Sequence, residues 1–116
     1  MTLAEVRDIL EAEVLTGEEN LDDIEVPRGC GCDLMSDVLA FAERRTLLLT
    51  GLTNAQVIRT AEMNDLAAIV FVRGKRPPCE VIEMAKERGI PLLRTKYPLF
   101  ESCGMLYKAG LRGHLK

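Results

Sequence analysis

The chain has 116 residues, of which 47% are hydrophobic and 28% charged, and its formal net charge at pH 7 is -3. This length and balance are typical of one globular domain and exclude a disordered or membrane protein. The longest apolar run, residues 66–72, is far shorter than the roughly 20 residues that a membrane-spanning helix needs, so we expect no membrane partner.

The first predicted element is a helix over residues 3–13. Thr2 and Glu5 have the spacing of a capping box, and apolar residues follow with helical periodicity. The acidic stretch that comes next contains few apolar residues. It predicts a loop with short strands near residues 14–15 and 24–26.

A second helix is predicted to begin after Asp33, whose carboxylate can cap its first turn, and to end near Arg44. Its apolar residues recur with helical spacing, which indicates one face turned toward a core. The residues predicted on that face are Leu34, Val38, Leu39 and Ala42.

Three buried strands are predicted in the second half of the chain, at residues 46–50, 67–72 and 91–94. Their apolar runs are not interrupted by polar residues. Such runs are typical of strands in a parallel sheet that is covered by helices on both faces.

A helix is predicted after each of these strands. Asn54 caps the first helix, Pro77 and Pro78 introduce the second, and Pro98 begins the third. The residues of the third helix predicted to face the core are Leu99, Phe100, Cys103, Leu106 and Tyr107.

This alternation of strands and helices predicts the fold class. Strand, loop and helix recur about every 22 residues, which indicates consecutive right-handed βαβ units. We therefore predict a three-layer α/β/α domain with a mainly parallel sheet. The predicted domain covers residues 1–110, and residues 111–116 are predicted to form a flexible tail.

In an open parallel sheet, ligands bind where the strand-to-helix loops gather at the carboxyl ends of the strands. The loops predicted here bring glycine, hydroxyl and cationic side chains to one edge, beside helix N-termini that favour anions. The predicted ligand-binding residues are Thr50, Gly51, Thr53, Asn54, Arg73, Gly74, Lys75, Thr95 and Lys96. The same residue types also serve turns and helix caps, so the pattern fits an anion or nucleotide site and also fits simple turn chemistry with solvated charges.

Sequence motifs of self-sufficient catalysis are missing. Gly51-Leu52-Thr53 lacks the Gly-Lys-Ser/Thr ending of a P-loop, and no dinucleotide-binding fingerprint follows a strand. The single histidine, His114, lies in the predicted tail. We predict no catalytic residue and no resident cofactor, and therefore a binding domain rather than an enzyme.

Cys30 and Cys32 place two thiols close together around Gly31. The N-terminus lacks the pattern of an export signal, so we expect a reducing cytoplasm in which cysteines remain thiols. The pair is a candidate for metal binding or reversible thiol chemistry, although the Cys-x-x-Cys spacing of many zinc and iron-sulfur sites is absent. Cys103 is predicted in the core and Cys79 at the surface.

The charges are unevenly distributed along the chain. Residues 1–43 carry twelve acidic and two basic residues, whereas residues 44–116 carry six acidic and thirteen basic ones. This split argues against nucleic-acid binding by the whole surface but permits a local anion site in the second half. It also allows attraction between the halves, within one chain or between two copies of a homodimer.

From Thr46 to Gly110 the chain resembles the DRTGG domain in the order and spacing of three segments. These segments are Leu49-Thr50-Gly51, Ile69-Val70-Phe71-Val72-Arg73-Gly74 and Ala85-x-x-x-Gly89-Ile90-Pro91-Leu92, and Thr95 and Phe100 follow them. Leu52-Thr53 stands where the family has Asp-Arg, and Val72-Arg73 where it has Thr-Gly. Only Gly51, Gly74 and Thr95 match position by position, so no role is carried over for the replaced residues.

The resemblance implies an α/β/α domain that acts in regulation and assembly, as in phosphotransacetylases, HPr kinase and regulated pyrophosphatases with CBS domains. Together with the loops, it suggests a phosphorylated ligand such as an adenine nucleotide, or a partner protein, and a homodimer. Small single-domain relatives also suggest an alternative, an accessory role in iron-sulfur hydrogenase systems with chemistry at Cys30 and Cys32.

Overall fold

The computed structural model describes residues 1–113, which form a five-stranded sheet between two layers of helices. In chain order the elements are α1 (Leu3–Leu10), β1 (Glu13–Thr16), a 3-10 helix (Glu18–Asp23), β2 (Arg28–Gly31), α2 (Met35–Phe41), β3 (Thr46–Thr50), α3 (Ala55–Met63), β4 (Ala68–Phe71), α4 (Cys79–Glu87), β5 (Leu92–Arg94) and α5 (Leu99–Lys108). None of these described helices is long and apolar enough to cross a membrane.

The strands lie in the order β1-β5-β4-β3-β2. The pairs from β2 to β5 are parallel, and only β1 runs antiparallel, beside β5. Ile69 lies at the centre of the sheet, opposite Leu48 on one side and Leu92 on the other. The predicted three-layer fold with a mainly parallel sheet is confirmed.

Two hydrophobic clusters lie on opposite faces of the sheet and explain the unbroken apolar strands. Leu47 and Leu49 pack with residues of α1 and α5, whereas Leu48 and Phe71 pack with residues of α2, α3 and α4. Alternate side chains of one strand therefore enter different cores. Each fully buried side chain of this kind contributes about 1.5–3 kcal/mol relative to an exposed one.

The first helix is shorter than predicted. Its capping box is present, because Thr2 Oγ accepts the N–H of Glu5 and the Glu5 carboxylate accepts the N–H of Thr2. The helix ends at Leu10, since Glu11 adopts a left-handed conformation with φ of 51° and its N–H bonds the carbonyl groups of Arg7 and Asp8.

The second strand lies at Arg28–Gly31, whereas residues 24–26, predicted to form a short strand, form an isolated antiparallel bridge between Glu25 and Thr2. Its position depends on close packing that glycine permits. A Cβ on Gly29 would lie 3.0 Å from Leu111 Cδ2, and one on Gly31 would lie 2.6 Å from Cys103 Sγ. Cys30 is therefore part of an edge strand rather than of a loop.

The second helix differs in part from the prediction. Asp33 does not cap it; the helix starts at Met35, and Leu34, its N-cap, makes no side-chain capping bond.

Two of the four predicted core residues of this helix are confirmed. Val38 is buried and Ala42 is partly buried against the core, together with Met35. Leu34 is 57% exposed and Leu39 is also exposed, so the face that enters the core is rotated from the predicted one.

The last helix also differs from the prediction. Leu106 is buried and Leu99 and Cys103 are partly buried against the core, but Phe100 is 84% exposed and Tyr107 58% exposed. The two aromatic side chains therefore lie outside the core. The helix packs on β2 and β3 through the remaining apolar residues, Leu99, Cys103 and Leu106.

Packed structure continues beyond the predicted domain end at residue 110. Leu111 is buried, and the carbonyl oxygen of Arg112 accepts the N–H of Gly29 at 3.0 Å. The first part of the predicted flexible tail is thus tied to the edge strand. Residues 114–116, including His114, lie outside the described residues.

The side chain of Asn64 forms hydrogen bonds with the end of α2. Asn64, which follows α3, donates from Nδ2 to the carbonyl oxygens of three residues at the end of α2. These acceptors are Val38 at 2.9 Å, Leu39 at 3.2 Å and Ala42 at 3.1 Å. The Val38 carbonyl also accepts the N–H of Ala42 at 2.9 Å, but helix ends leave the carbonyl groups that follow without helical partners. The Asn64 amide therefore acts as a cap supplied by a neighbouring element.

We predict that Asn64→Ala lowers the free energy of unfolding by about 1–3 kcal/mol, since the partly buried carbonyl group of Ala42 loses this donor. The matched control is Asn54→Ala, because Asn54 makes no side-chain capping bond, and its effect should stay within about 0.5 kcal/mol. Urea unfolding measures both. Equal losses in the two variants would contradict the assigned role of Asn64.

Candidate functional site

The predicted loops meet at the carboxyl edge of the sheet, by which we mean residues 50–54, 72–77 and 95–97. Backbone hydrogen bonds join them in pairs. The N–H groups of Arg73 and Gly74 donate to the carbonyl oxygens of Tyr97 and Thr95, at 2.9 and 2.8 Å. The structure thus places the predicted residues of three separate chain segments side by side.

The loop after β3 is bound to a carboxylate from another part of the chain. The hydroxyl of Thr50 and the N–H of Gly51 both donate to Oδ1 of Asp33, each at 2.8 Å. The N–H of Leu52 in turn donates to Thr50 Oγ at 3.2 Å. Two of the donors predicted to bind an external anion, the Thr50 hydroxyl and the Gly51 N–H, are therefore occupied by Asp33.

The remaining two residues of this loop lead into α3. Thr53 is half-buried, and Asn54 is exposed at the N-cap position without a side-chain capping bond. The predicted cap position is right, but the predicted side-chain cap is not formed. The amide of Asn54 is therefore not committed to the helix.

The loop after β4 turns sharply through two residues with left-handed backbone angles. Arg73 has φ of 59° and Gly74 has φ of 68°, and a Cβ on Gly74 would meet nothing within 4 Å. A non-glycine residue in this region is uncommon. The turn leaves the side chains of Arg73 and Lys75 exposed at the carboxyl edge.

In the loop after β5, Thr95 serves the fold. Its buried hydroxyl donates to the carbonyl oxygen of Leu10 at 2.7 Å and accepts the N–H of Tyr97 at 3.4 Å. This hydroxyl is already paired within the chain. Its neighbour Lys96 is exposed, with Nζ 5.4 Å from the centre of the Tyr97 ring.

Sequence reasoning missed an ion-pair network beside this loop. Arg94 donates from Nε to the carbonyl oxygen of Gly74 at 3.0 Å and pairs with Glu13 at 2.8 Å. Arg76 also pairs with Glu13, at 3.5 Å. The position of Arg94 at the end of a predicted strand could have marked it, but nothing local links it to Glu13.

The phenol of Tyr97 donates a hydrogen bond to the carboxylate of Glu11. This bond raises the pKa of Tyr97 above its ordinary value, and partial burial and the negative charge of Glu11 add to the effect. The bond therefore stabilises the folded state below the ordinary tyrosine pKa, and that contribution is lost as the pH rises through the raised value. Near neutral pH, Tyr97 therefore keeps the loop after β5 hydrogen-bonded to Glu11 at the end of α1.

Three cations at the carboxyl edge are not compensated. Across residues 1–113, the side chains of Arg73, Lys75 and Lys96 form no hydrogen bond or ion pair, although Lys96 contacts the Tyr97 ring. Arg76 and Arg94, in contrast, share Glu13. The edge therefore keeps a surplus of positive charge, which favours an anion.

The two candidate metal ligands lie elsewhere, along β2. Cys30 and Cys32 border a cleft of about 770 Å³ between β2 and α2, together with Val38 and Thr46. The Thr46 hydroxyl is buried and has no hydrogen-bond partner in the described part of the chain. Cys32 Sγ accepts the N–H of Leu34 at 3.4 Å.

Cys30 and Cys32 are not part of a complete metal-binding group among the described residues. Within residues 1–113, no group of three or more histidine, cysteine or carboxylate side chains could hold a metal ion. Burial raises the pKa of Cys30, and the nearby thiols of Cys32 and Cys103 add to this shift, so the thiol form is favoured. Cys79 is exposed, as predicted.

The fold and the carboxyl edge define a three-layer α/β domain that carries its loops and surplus cations at one edge of a parallel sheet. The family model of the DRTGG domain matches residues 5–109. The chain therefore belongs to the DRTGG domain family. The match confirms the resemblance seen from Thr46 onward and extends it through α1, β1 and β2.

Among solved structures, the chain is similar to the CBS and DRTGG domains of the regulatory region of Clostridium perfringens pyrophosphatase, complexed with its activator, diadenosine tetraphosphate. The TM-score is 0.76 at 18% sequence identity, and the match covers 90% of this chain and 45% of that one. This likeness shows the same fold. No curated protein sequence matches the chain.

Proposed function

We propose that this protein is a non-catalytic regulatory domain that binds a small phosphorylated ligand, foremost an adenine nucleotide, at the carboxyl edge. The observation that carries the proposal is the group of three uncompensated cations, Arg73, Lys75 and Lys96, held on two adjoining loops. A chain of phosphate groups offers the several negative charges that such a group would neutralise.

The loop geometry supports this assignment. Arg73 and Lys75 flank a glycine turn whose backbone is fixed by Thr95 and Tyr97, so the cations project from a rigid base. A prearranged site loses less conformational entropy when a ligand binds. Thr53 and Asn54 stand at the start of α3, where N–H groups without helical partners favour negative charge.

Membership in the DRTGG family supports the regulatory part of the proposal. The pyrophosphatase region with the same fold is regulatory and is complexed with an activator that contains two adenosines and a phosphate chain. The present chain spans less than half of that region. We therefore propose a nucleotide as the ligand class, with recognition through phosphate charge.

We predict that the double substitution Arg73→Ala with Lys75→Ala weakens ATP binding by about tenfold or more, because each tenfold step corresponds to about 1.4 kcal/mol of lost interaction. Isothermal titration calorimetry measures the affinity. The melting temperature of the ligand-free variant should stay close to that of the wild type, since neither side chain is bonded within the described chain.

The matched control is Arg59→Ala with Lys86→Ala, which removes the same two residue types from exposed positions on α3 and α4. This variant should bind ATP about as well as the wild type. Equal weakening in both double variants would show only a general charge effect and would contradict the assigned site. Unchanged affinity in the first variant would contradict it too.

We also propose that a second copy of the chain docks beside β2. Phe41 at the end of α2 is 74% exposed, and Phe100 on α5 is exposed as well. Helices α2 and α5 cover opposite faces of the sheet, next to the edge formed by β2. The opposite charges of the two halves of the chain would suit a two-fold contact in which an acidic patch meets a basic one.

We predict that light scattering at micromolar concentration gives the mass of a dimer. Phe41→Glu should shift the mass toward the monomer, because a buried charge opposes association. Met63→Glu is the matched control, since Met63 on α3 has the same exposed fraction of 74%, and it should remain dimeric. A monomeric mass for the wild type would contradict the proposed dimer.

A further inference from the structure

Asp33 holds an unusual position between two parts of the fold. It belongs to the connection between β2 and α2, yet its Oδ1 accepts both the Thr50 hydroxyl and the Gly51 N–H at 2.8 Å. A Cβ on Gly51 would lie 3.7 Å from each carboxylate oxygen of Asp33. The carboxylate thus lies directly against the turn at the end of β3.

Helix capping does not account for this contact. The helix that follows Asp33 begins at Met35, and its N-cap residue is Leu34. The Asp33 side chain points instead to the loop of another strand, 17 and 18 residues further along the chain. Its two hydrogen bonds are those that the sequence assigned to an external anion.

Exposure makes this contact replaceable. Asp33 is an exposed residue, and its bond to Gly51 lies at the surface, whereas its bond to the buried Thr50 is partly buried. A released carboxylate would be hydrated by water, so its departure carries no cost of burying a charge. Two anions cannot share the same two donors without repelling each other.

We propose that Asp33 is an internal competitor of the ligand at the carboxyl edge. This inference rests on the proposed function. The Asp33 carboxylate occupies the position of a ligand phosphate at Thr50 and Gly51, and a phosphate group that reaches these donors displaces it. Asp33 therefore lowers the affinity for any ligand that must displace it. It favours ligands with several phosphate groups, which can first bind Arg73 and Lys75.

Asp33 also links the carboxyl edge to the connection that leads into α2. It follows Cys32, whose thiol forms hydrogen bonds with the backbone of Leu34. The N–H of Cys32 donates separately to the carbonyl oxygen of Leu49 at 3.0 Å, so this connection keeps a second hydrogen bond to β3 when Asp33 is displaced.

The test is a calorimetric titration of the full chain with inorganic tripolyphosphate in the presence of a metal chelator. Asp33→Ala should bind tripolyphosphate at least about tenfold more tightly than Asp37→Ala, the equivalent of about 1.4 kcal/mol. Asp37 is the matched control, because it is an exposed aspartate on α2 whose removal changes the net charge equally. Asp33→Asn keeps the shape and an acceptor oxygen, so it should fold as the wild type does and show an intermediate gain.

Equal affinities of the Asp33 and Asp37 variants would overturn the inference, whether both bind or neither does. If ATP binding still depends on Arg73 and Lys75 in that case, the proposed function stands and only the competition falls. If Asp33→Ala gains affinity while the Arg73 and Lys75 substitutions leave ATP binding unchanged, the competition stands and the cation assignment falls.

Discussion

The burial of β3, β4 and β5 on both faces is the constraint on which the rest of the structure depends. Because these strands are parallel and adjacent, their carboxyl ends meet at one edge, and each chain reversal there must cross to a helix. The main-chain bonds from Val72 to Thr50 and from Thr95 to Phe71 continue the pairing past the last strand residues. Loops that are distant in sequence are therefore fixed next to one another.

This arrangement also explains which charges remain available. The antiparallel strand β1 brings Glu13 beside β5, where it neutralises Arg94 and Arg76. These two ion pairs join the acidic and basic halves within one chain. They do not include Arg73, Lys75 or Lys96, which form no ion pair in the described part of the chain.

The same edge contains a conflict between stability and binding. The fold satisfies Thr50 and Gly51 with its own carboxylate, and it uses the Thr95 hydroxyl to fasten α1. Hydroxyl and glycine positions that look like ligand contacts in the sequence are thus partly structural. The cations, which have no such partners in the described chain, carry the stronger argument for binding.

The central strands could be predicted from the sequence because each is an unbroken run of apolar residues. Such a run indicates a strand that is buried on both faces. Strand β2 could not, because Arg28-Gly29-Cys30-Gly31 has weak β-propensity and its place depends on the packing of Leu111 and Cys103 against its glycines. The role of Asp33 was missed for a similar reason. An aspartate before a helix is typical of a cap, and its true partners lie in a different strand-to-helix loop.

The most direct test of a ligand site at the carboxyl edge is a titration of isotope-labelled protein with ATP, followed through its backbone amide NMR signals. We predict that the largest chemical-shift changes fall on residues 50–54, 73–76 and 95–97 and on Asp33. Changes confined to the cleft between β2 and α2, or no changes at millimolar ATP, would contradict it.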